Sequence, residues 1–569
     1  MKSPHAETWR RAGEIALLSL AFLAPLAAHG RTYDPAALKT ALFESCALAL
    51  AASWILKGLA RGRWAAAAAS RPALTPLLAL AAWTLARFAL APFKSAALPD
   101  LALTLSAWIV YAVALLEFGG ARSAARLAFW TAASAALVGA LGAAQLFAHG
   151  PGLTATLTSP DQLASFAAVA LPVVLSLSLD PESFGARRLL SGSTAVVLTL
   201  LVVWSGSLRG LAAFALSAVI FALVAAFLLR GRVPRRFALV VALLSALLAA
   251  FAFGVSDAMA PSAGVTSLFA GTGIVGGALL AWTLLAGIFG GLRAARDLRA
   301  RGALAEAGYA AAFASAFAAW AAAGALGLTP RHGAGSWLAW AAGAIAAGMV
   351  PLASTRGVVL TMPLPFGEDV RRLMQGTVLG LFAVAAVWPA GWLASDVRYN
   401  RALAEARAGG LDAALADAGQ VWRGSSVYAP SIYLRGRVLL DQGKPGQALD
   451  EFARLDDVSP NFSRVHARRA EAYASLQDWN SSVIERELQA GLTPLDVSNL
   501  TAWAEAARAA GDMGAARRAA ARAQAVAPED ENVKLQLAAN SLLERRIAAR
   551  DAAARGRKGT AFKPKLRPR

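Results

Sequence analysis

The sequence predicts an all-α protein in two parts, a polytopic membrane helix bundle followed by a solenoid of stacked helix pairs. The chain of 569 residues is 57% hydrophobic and has a mean hydropathy of +0.50, far above that of a soluble globular domain. Apolar runs fill its first two thirds, whereas charged residues return from Asp396 onward. We therefore predict a membrane domain at residues 1–395, a repeat domain at 396–554 and a basic, disordered tail at 555–569.

The membrane domain contains about thirteen segments that meet the length of a transmembrane helix, roughly 20 mostly apolar residues. The first could pass for the core of a signal peptide, but further hydrophobic segments follow at once, so we interpret it as an uncleaved span. The predicted spans are 13–29, 36–57, 73–92, 99–120, 124–148, 162–180, 188–207, 210–229, 236–256, 268–292, 305–328, 335–354 and 374–395.

Lysine and arginine are distributed unevenly between alternate loops of this bundle. One set of loops carries 22 of them and the other set carries 5. Because cytoplasmic loops are enriched in basic residues, the amino terminus is predicted to be cytoplasmic. An odd number of spans then predicts that the repeat domain lies on the opposite side of the membrane. The formal charge of +20 is explained by these loops, and no nucleic-acid partner is predicted.

The sequence contains few residues of the kinds that hold metals or cofactors. Its one cysteine, Cys46, lies within an apolar run, so it forms no disulfide framework and no cysteine-based metal site. Neither a metal-ligand motif nor a nucleotide-binding fingerprint is visible. We predict no metal and no cofactor.

Two polar, turn-forming clusters interrupt the apolar segments between Gly152 and Phe214. They are Thr158–Gln162 and Ser205–Gly210, and on the predicted topology both face the non-cytoplasmic side. Backbone that is left unpaired in lipid is costly, so such breaks are tolerated at the interface or around a polar cavity. We expect the chemistry of the protein to be found here.

Three motifs in this domain resemble the O-antigen ligase and polymerase superfamily. Ser159-Pro-Asp-Gln-Leu-Ala164, with Leu171-Pro172 after it, is similar to the family motif that opens a membrane helix. Ser205-Gly-Ser-Leu-Arg-Gly210 resembles the family's Ser-Arg-Gly turn with Leu208 inserted, and Gly273-Ile-Val-Gly276 resembles a further helix start. The resemblance implies transfer of a glycan from a polyisoprenyl-pyrophosphate carrier at the periplasmic face of the bacterial inner membrane.

The resemblance also suggests roles for particular residues. Arg209 is the candidate for stabilising the pyrophosphate, since a guanidinium offers phosphate a fixed fork of donors. The alternative for Arg209 is an interfacial anchor on a tight helical hairpin. Asp161 is a second catalytic candidate. The remaining carrier-binding candidates are Gln162, Ser207 and Arg87.

Arg87 and Glu44 are both charged residues within predicted spans, each in the outer half of its helix. A charge inside the membrane is costly and usually faces a partner or a wet cavity. We therefore expect either a structural ion pair between the two residues or a contribution of both to the carrier site.

One loop departs from the family pattern. Family members have a long periplasmic loop with an arginine and a histidine that are thought to act on the acceptor and the pyrophosphate. The corresponding loop here is Ser256–Gly271, which has neither, and only Asp257 in it titrates. His332 and Asp161 could substitute as a general base, although His332 is more simply part of a polar turn. The alternative function is therefore a non-catalytic scaffold of a polysaccharide assembly machinery. A transporter is disfavoured, because paired repeats with broken helices are not visible.

The repeat domain has the period of tetratricopeptide repeats. Pro460, Pro494 and Pro528 lie 34 residues apart. In the best repeat the small residues at the helix crossing are Gly436 and Ala448, and Pro460 ends the repeat. Stacked helix pairs of this kind leave a concave surface for a protein partner. The candidate partner-binding residues are Tyr433, Arg437 and Tyr473. The other predicted partners are the lipid-linked glycan and membrane lipid.

Overall fold

In a computed structural model, the described part of the chain is all-α apart from one two-stranded ribbon. The structure describes residues 4–28, 30–91, 94–149, 154–179, 185–228, 265–326, 333–353, 358–460 and 462–559, together with scattered positions between 240 and 247. The chain divides into two compact units, Met1–Val397 and Arg398–Arg569. This division falls within two residues of the predicted domain boundary.

The described part of the first unit is mainly a bundle of helices. Its helices are α1 (Pro4–Leu26), α2 (Ala37–Arg61), α3 (Arg71–Ala89), α4 (Lys94–Glu117), α5 (Ala121–His149), α6 (Pro160–Leu179), α7 (Gly185–Ser205), α8 (Leu208–Leu228), α9 (Val265–Ala300), α10 (Leu304–Ala325), α11 (Ala334–Gly348), α12 (Val350–Ala353), α13 (Glu368–Ala385) and α14 (Val387–Arg407). The boundary between the two units falls inside α14.

Eleven helices in the described part of the chain are long and apolar enough to cross a membrane, and each coincides with a predicted span. The first predicted span, 13–29, overlaps α1, which is not one of the eleven. The first half of α1 carries Glu7, Arg10, Arg11 and Glu14. The predicted span 236–256 lies almost wholly outside the described residues. The described part thus has the helix lengths and apolarity of a multi-span membrane protein.

The helix termini of the bundle meet at two distinct ends. At one end α2 and α4 finish while α5 begins. There Arg126 binds Glu14 at 2.9 Å, and Arg299 Nη1 donates to the carbonyl of Leu228 at 2.8 Å. We call this the basic end. At the other end α6, α8 and α11 begin, and we call it the motif end. Lys57 and Glu117 also pair at the basic end.

Small residues allow the helices of the bundle to approach closely. A Cβ on Gly119 would overlap the carbonyl of Gly348, so α4 and α11 meet backbone to backbone at the basic end. Between them lies an aromatic cluster. The ring of Trp340 has its centroid 5.5 Å from Tyr111 and 5.5 Å from Phe317. Such close packing replaces the hydrophobic driving force that is weak between helices in lipid.

The ribbon was not predicted from the sequence. Strand β1 (Arg63–Ala67) pairs antiparallel with β2 (Val359–Pro363), so that Arg63 lies opposite Pro363 and Ala67 opposite Val359. It joins the loop after α2 to the loop before α13. The loop charges place both of these loops on the same side of the membrane, and the pairing agrees with that placement.

The second unit is a series of antiparallel helix pairs. Its helices after α14 are α15 (Leu411–Gly419), α16 (Tyr428–Asp441), α17 (Pro445–Val458), α18 (Val465–Ser475), α19 (Trp479–Leu492), α20 (Val497–Ala509), α21 (Met513–Val526) and α22 (Glu531–Gly559). The predicted end of helical structure at residue 554 is five residues short, because α22 runs to Gly559.

The period of 34 residues corresponds to one helix pair. The second helices of three successive pairs end at Val458, Leu492 and Val526, each two residues before one of the recurring prolines. Proline favours a position just after a helix because it cannot continue one. The predicted small residue Gly436 meets the Phe452 ring, and a Cβ there would overlap it. The assignment to the tetratricopeptide family stays a prediction.

Candidate functional site

The first polar break is the start of helix α6. Pro160 occupies the first helical position, where its missing N–H costs nothing. Ser159 caps the helix, since its Oγ accepts a hydrogen bond from the N–H of Gln162 at 3.2 Å and its carbonyl accepts one from Leu163 at 3.0 Å. Asp161 therefore lies in the first turn, where the helix dipole favours a negative charge.

The second polar break is the turn between α7 and α8. Gly206 has φ +70°, a left-handed conformation that favours glycine, and α8 begins at Leu208. The hydroxyl of Ser207 accepts a hydrogen bond from the N–H of Gly210 at 2.8 Å. Arg209 follows in the first turn and is half-buried. Both motifs are thus helix starts that are capped by a serine.

The structure brings these two motifs together. The Ser207 hydroxyl donates a hydrogen bond to Oδ1 of Asp161. One turn further along, Gly210 lies against Ala164, and a Cβ at Gly210 would overlap the Ala164 methyl. The close approach of α6 and α8 therefore depends on glycine at 210, and it places Asp161, Ser207 and the backbone of Arg209 at one point of the motif end.

A third helix start meets the same point. Gly333 precedes α11 with φ +143°, and a Cβ there would lie 3.1 Å from Oε1 of Gln162. Gly335 packs on the α6 backbone, where its Cβ would lie 2.9 Å from the Phe166 nitrogen. One turn into α11, Trp337 stacks on Phe43 with ring centroids 4.4 Å apart. The amino-terminal turns of α6, α8 and α11 therefore converge.

This convergence determines the electrostatic character of the site. The first turn of a helix exposes unpaired N–H groups and carries the positive end of the helix dipole. Three such ends converge near one carboxylate, Asp161, and Arg209 lies in the first turn of α8. An anion such as a phosphate group is stabilised by this arrangement.

Three buried polar atoms near the motif end have no hydrogen-bond partner in the described part of the chain. They are Oε1 of Gln162, Nε1 of Trp337 and Oε2 of Glu44. Gln162 contacts the start of α11, and Trp337 lies on the same helix against Phe43, the neighbour of Glu44. An unpaired buried polar atom costs roughly 1–3 kcal/mol. The interior of the motif end therefore contains more polar atoms than the hydrogen bonds of the described residues satisfy.

The expected ion pair between Glu44 and Arg87 is wrong for the described structure. Glu44 is buried and its Oε2 has no partner there, whereas Arg87 is exposed on α3. Arg87 instead lies beside the third motif, since a Cβ on Gly273 would be 3.6 Å from its Nη1. The physical reason is that an apolar helix can rotate about its axis without any change in the hydrophobic pattern that predicts it.

The third motif is also a helix start. Helix α9 is interrupted at Gly273, which has φ +70° and ψ 176°, and the membrane-length segment runs from Gly273 to Ala300. Gly273 lies at the end of this segment opposite Ala300, and therefore at the motif end. Of the predicted loop Ser256–Gly271, residues 256–264 lie outside the described residues, and 265–271 belong to α9. His332, the predicted substitute base, also lies outside the described residues.

A buried lysine that sequence reasoning treated only as a loop charge supports this end of the bundle. Nζ of Lys39 donates to the carbonyls of Ala24 at 3.1 Å and Pro25 at 2.9 Å, where α1 ends. The Thr156 hydroxyl donates to the same Pro25 carbonyl at 2.6 Å. Lys39 therefore neutralises the end of α1, and Thr156 attaches the loop before α6 to it.

Replacement of Lys39 by methionine is expected to destabilise the bundle by about 2 kcal/mol, because the buried carbonyl of Ala24 loses its side-chain donor and that of Pro25 keeps only Thr156. The measurement is the thermal unfolding midpoint of the purified protein in detergent. Lys94→Met is the matched control, since Lys94 is exposed at the start of α4. Equal midpoints for the two variants would show that Lys39 is not a structural support.

The predicted partner-binding residues of the second unit lie in different environments. Tyr433 packs on Phe462 with ring centroids 5.2 Å apart, and its hydroxyl accepts a weak hydrogen bond from Arg468 at 3.4 Å. Tyr473 is half-buried. Arg437 is exposed and lies 4.0 Å from Asp441, one helical turn away. Of the three, Arg437 is the most available to a partner.

A groove that the sequence did not suggest lies on another face of α16. It has a volume of about 420 Å³, and its wall includes Arg435, Leu439, Glu451 and Arg454. Arg435 and Arg437 are two residues apart on one helix, so their side chains point about 200° apart around the helix axis. Oε1 of Glu451 accepts from Arg435 at 2.6 Å and from Arg454 at 2.9 Å.

The fold is that of a multi-span helical membrane protein. At one end of its bundle, several helix starts form a polar cluster. A comparison with models of known protein families finds no match. A comparison with functionally characterised proteins finds no similar sequence either.

Proposed function

We propose that the protein is a membrane glycosyltransferase of cell-envelope polysaccharide assembly. It transfers or polymerises a glycan from a polyisoprenyl-pyrophosphate carrier at the periplasmic face of the bacterial inner membrane. The observation that carries the proposal is the hydrogen bond from Ser207 to Asp161. It joins the two motifs that resemble the O-antigen ligase and polymerase superfamily, which are 46 residues apart in the chain.

The leaving group of this reaction suits the electrostatics of the site. When an acceptor hydroxyl attacks the anomeric carbon, the bond to the pyrophosphate breaks and negative charge develops on the departing oxygen. Arg209 and the free N–H groups of the converging helix starts would stabilise that charge. Arg87 beside Gly273 adds a second guanidinium at the motif end, and the neutral amide of Gln162 and hydroxyl of Ser207 remain candidates for contacts with the carrier.

The acceptor hydroxyl must lose a proton during the transfer. Asp161 is the acidic side chain at the junction of α6 and α8 in the described structure, and we assign it as the general base. Its Oδ1 is engaged by Ser207, so the hydrogen bond orients the carboxylate. An asparagine at this position can still accept that hydrogen bond but cannot take up the proton.

The decisive experiment measures the carrier-linked oligosaccharide and the finished surface glycan in a deletion strain. The strain is complemented with the wild type, Arg209→Ala, Arg209→Lys or Asp161→Asn, each present at normal levels. We expect Arg209→Ala to lower glycan formation about tenfold or more and to accumulate donor, because one hydrogen bond to a charged group is worth about 1.5–3 kcal/mol. Lysine should restore part of the activity as a point charge.

The control is Arg187→Ala, which removes an exposed arginine from the start of α7 at the basic end. It should complement like the wild type. Full complementation by Arg209→Ala and Asp161→Asn would refute the catalytic proposal. An unchanged donor pool in the deletion strain itself would refute a role in this assembly altogether.

A second candidate function is a non-catalytic scaffold of the same polysaccharide assembly machinery, acting through protein partners of the repeats. The groove beside α16 favours it, since its volume of about 420 Å³ lies within the range of ligand sites. In this case Arg209→Ala complements fully, whereas a surface variant of the second unit does not. Arg454→Ala tests the groove and Arg437→Ala tests the predicted partner surface, so the two faces of α16 are distinguished in one assay.

A further inference from the structure

The β1–β2 ribbon lies at the basic end of the bundle, between the ends of helices long enough to span a membrane. Strand β1 follows Ala37–Arg61 and precedes Ala68–Ala89, and strand β2 lies between Ala334–Leu352 and Glu368–Arg407. In a bilayer the ends of such helices reach the headgroup layer. The ribbon is therefore held at the membrane surface by the four segments that flank it.

Three arginines meet at the turn that opens the ribbon. Gly62 has φ +65°, and the guanidinium of Arg371 occupies the place where its Cβ would lie. Arg61 and Arg63 flank Gly62 in the chain, and both are exposed. The Gly62 carbonyl accepts a hydrogen bond from Leu364 at 2.9 Å, which ties the turn to the far end of β2. We call these residues the ribbon turn.

No carboxylate in the described part of the chain neutralises these three arginines. The nearby Glu368 pairs with Arg372 at 2.7 Å, and Lys57 pairs with Glu117. None of the three takes part in an ion pair with the described acidic residues. Like charges on one turn repel each other, so a bound anion stabilises the ribbon turn as folded. Guanidinium groups match the geometry of phosphate oxygens in particular.

Apolar side chains are exposed along β2 and in the residues after it. Near the ribbon turn Met362 is 61% exposed and Phe366 43%, and at the far end of the strand Val359 is 57% exposed. On the other strand Trp64 packs on Gly58 and stacks with Trp54, with ring centroids 6.1 Å apart. Tryptophan is enriched at membrane interfaces. The surface therefore combines phosphate-binding charge with apolar contacts, which suits an amphiphile better than a free ion.

We propose that the ribbon turn binds the phosphate headgroup of an anionic membrane phospholipid, whose acyl chains contact the exposed apolar residues Met362 of β2 and Phe366 just after it. The lipid neutralises Arg61, Arg63 and Arg371 and holds the ribbon against the membrane surface. This site lies at the opposite end of the bundle from Asp161 and Arg209, since α11 begins at one end and leads through α12 to β2 at the other. The proposal is therefore independent of the proposed glycan transfer.

The test uses the full-length protein purified in detergent and measured by native mass spectrometry with added phosphatidylglycerol or phosphatidylcholine. The wild type should bind one phosphatidylglycerol at least tenfold more tightly than phosphatidylcholine. Arg61→Gln with Arg63→Gln should weaken phosphatidylglycerol binding about 25-fold, because each arginine near the surface contributes about 1 kcal/mol, or roughly fivefold. Arg122→Gln with Arg187→Gln removes two exposed arginines from the same end and should change this binding less than twofold.

Further measurements distinguish a bound lipid from a bound free anion. They also distinguish loss of the binding site from unfolding of the protein. Phe366→Ser should weaken phosphatidylglycerol binding without affecting the binding of inorganic phosphate. Phosphate at about 10 mM, a low ionic strength that screens the arginines weakly, should leave the lipid bound. Arg61→Lys with Arg63→Lys should recover part of the binding. Displacement by phosphate, equal binding of both lipids, or equal losses in the ribbon and control variants would each overturn the proposal.

Discussion

Replacement of Trp503 by alanine is expected to destabilise the second unit by about 3–5 kcal/mol, the range for removal of a fully buried large aromatic side chain. Trp503 is 1% exposed in the core between α20, α21 and α22. The guanidinium carbon of Arg522 also lies 5.8 Å from its ring centroid, so the variant loses a cation–π contact as well. Because each helix pair is stabilised by its neighbours, the opening should spread along the stack.

Hydrogen exchange of the full-length protein in detergent measures this effect, since amide protection reports the free energy of local opening. Peptides from α20 and α21 should lose most of their protection, whereas peptides from α2 and α6 should keep theirs. Trp503→Phe is a conservative control, because Nε1 of Trp503 has no hydrogen-bond partner among the described residues. Trp422→Ala is a second control, since Trp422 is 39% exposed. A loss of amide protection confined to the peptide that contains Trp503 would contradict cooperative opening of the stacked helix pairs.

The helices of both units could be predicted because their signals are local. A run of apolar residues long enough for a bilayer indicates a helix whatever it packs against, and eleven of the predicted spans coincide with membrane-length helices. The recurring prolines predicted the ends of α17, α19 and α21 for the same reason. The ribbon was missed because its strands are five residues each and are separated by about 290 residues of chain.

The candidate site was predicted only where a motif determined the local backbone. Serine followed by proline or glycine indicates a helix start or a tight turn, so both polar breaks were recognised. The contribution of α11 was not predicted, although Gly333-Ala-Gly335 before Trp337 is a signal for close helix packing. The Glu44–Arg87 pair failed because helix rotation is determined by tertiary packing. The structural role of Lys39 was not predicted, because it depends on where the end of α1 lies in the folded bundle.

Replacement of Gly335 by valine is expected to separate α11 from α6 and to destabilise the bundle by about 3 kcal/mol or more, at the upper end of the cost of overpacking. A Cβ at this position would lie 2.9 Å from the Ser165 carbonyl group and from the Phe166 nitrogen. These are backbone atoms of α6, so no side chain can rotate away to make room. The same displacement would move Gly333 from Gln162 and disturb the convergence of helix starts around Asp161.

Gly376→Val is the matched control, because Gly376 lies in α13 and no atom outside its own helix and chain neighbours lies within 4 Å of a Cβ there. Both variants replace a helical glycine by valine, so the difference between their unfolding midpoints in detergent chiefly reports the contact with α6. Gly335→Val should also lose glycan formation in the complemented deletion strain, whereas Gly376→Val should retain it. Equal midpoints would contradict the close packing of α11 on α6. A stable Gly335→Val protein with full glycan formation would instead show that the site does not need α11.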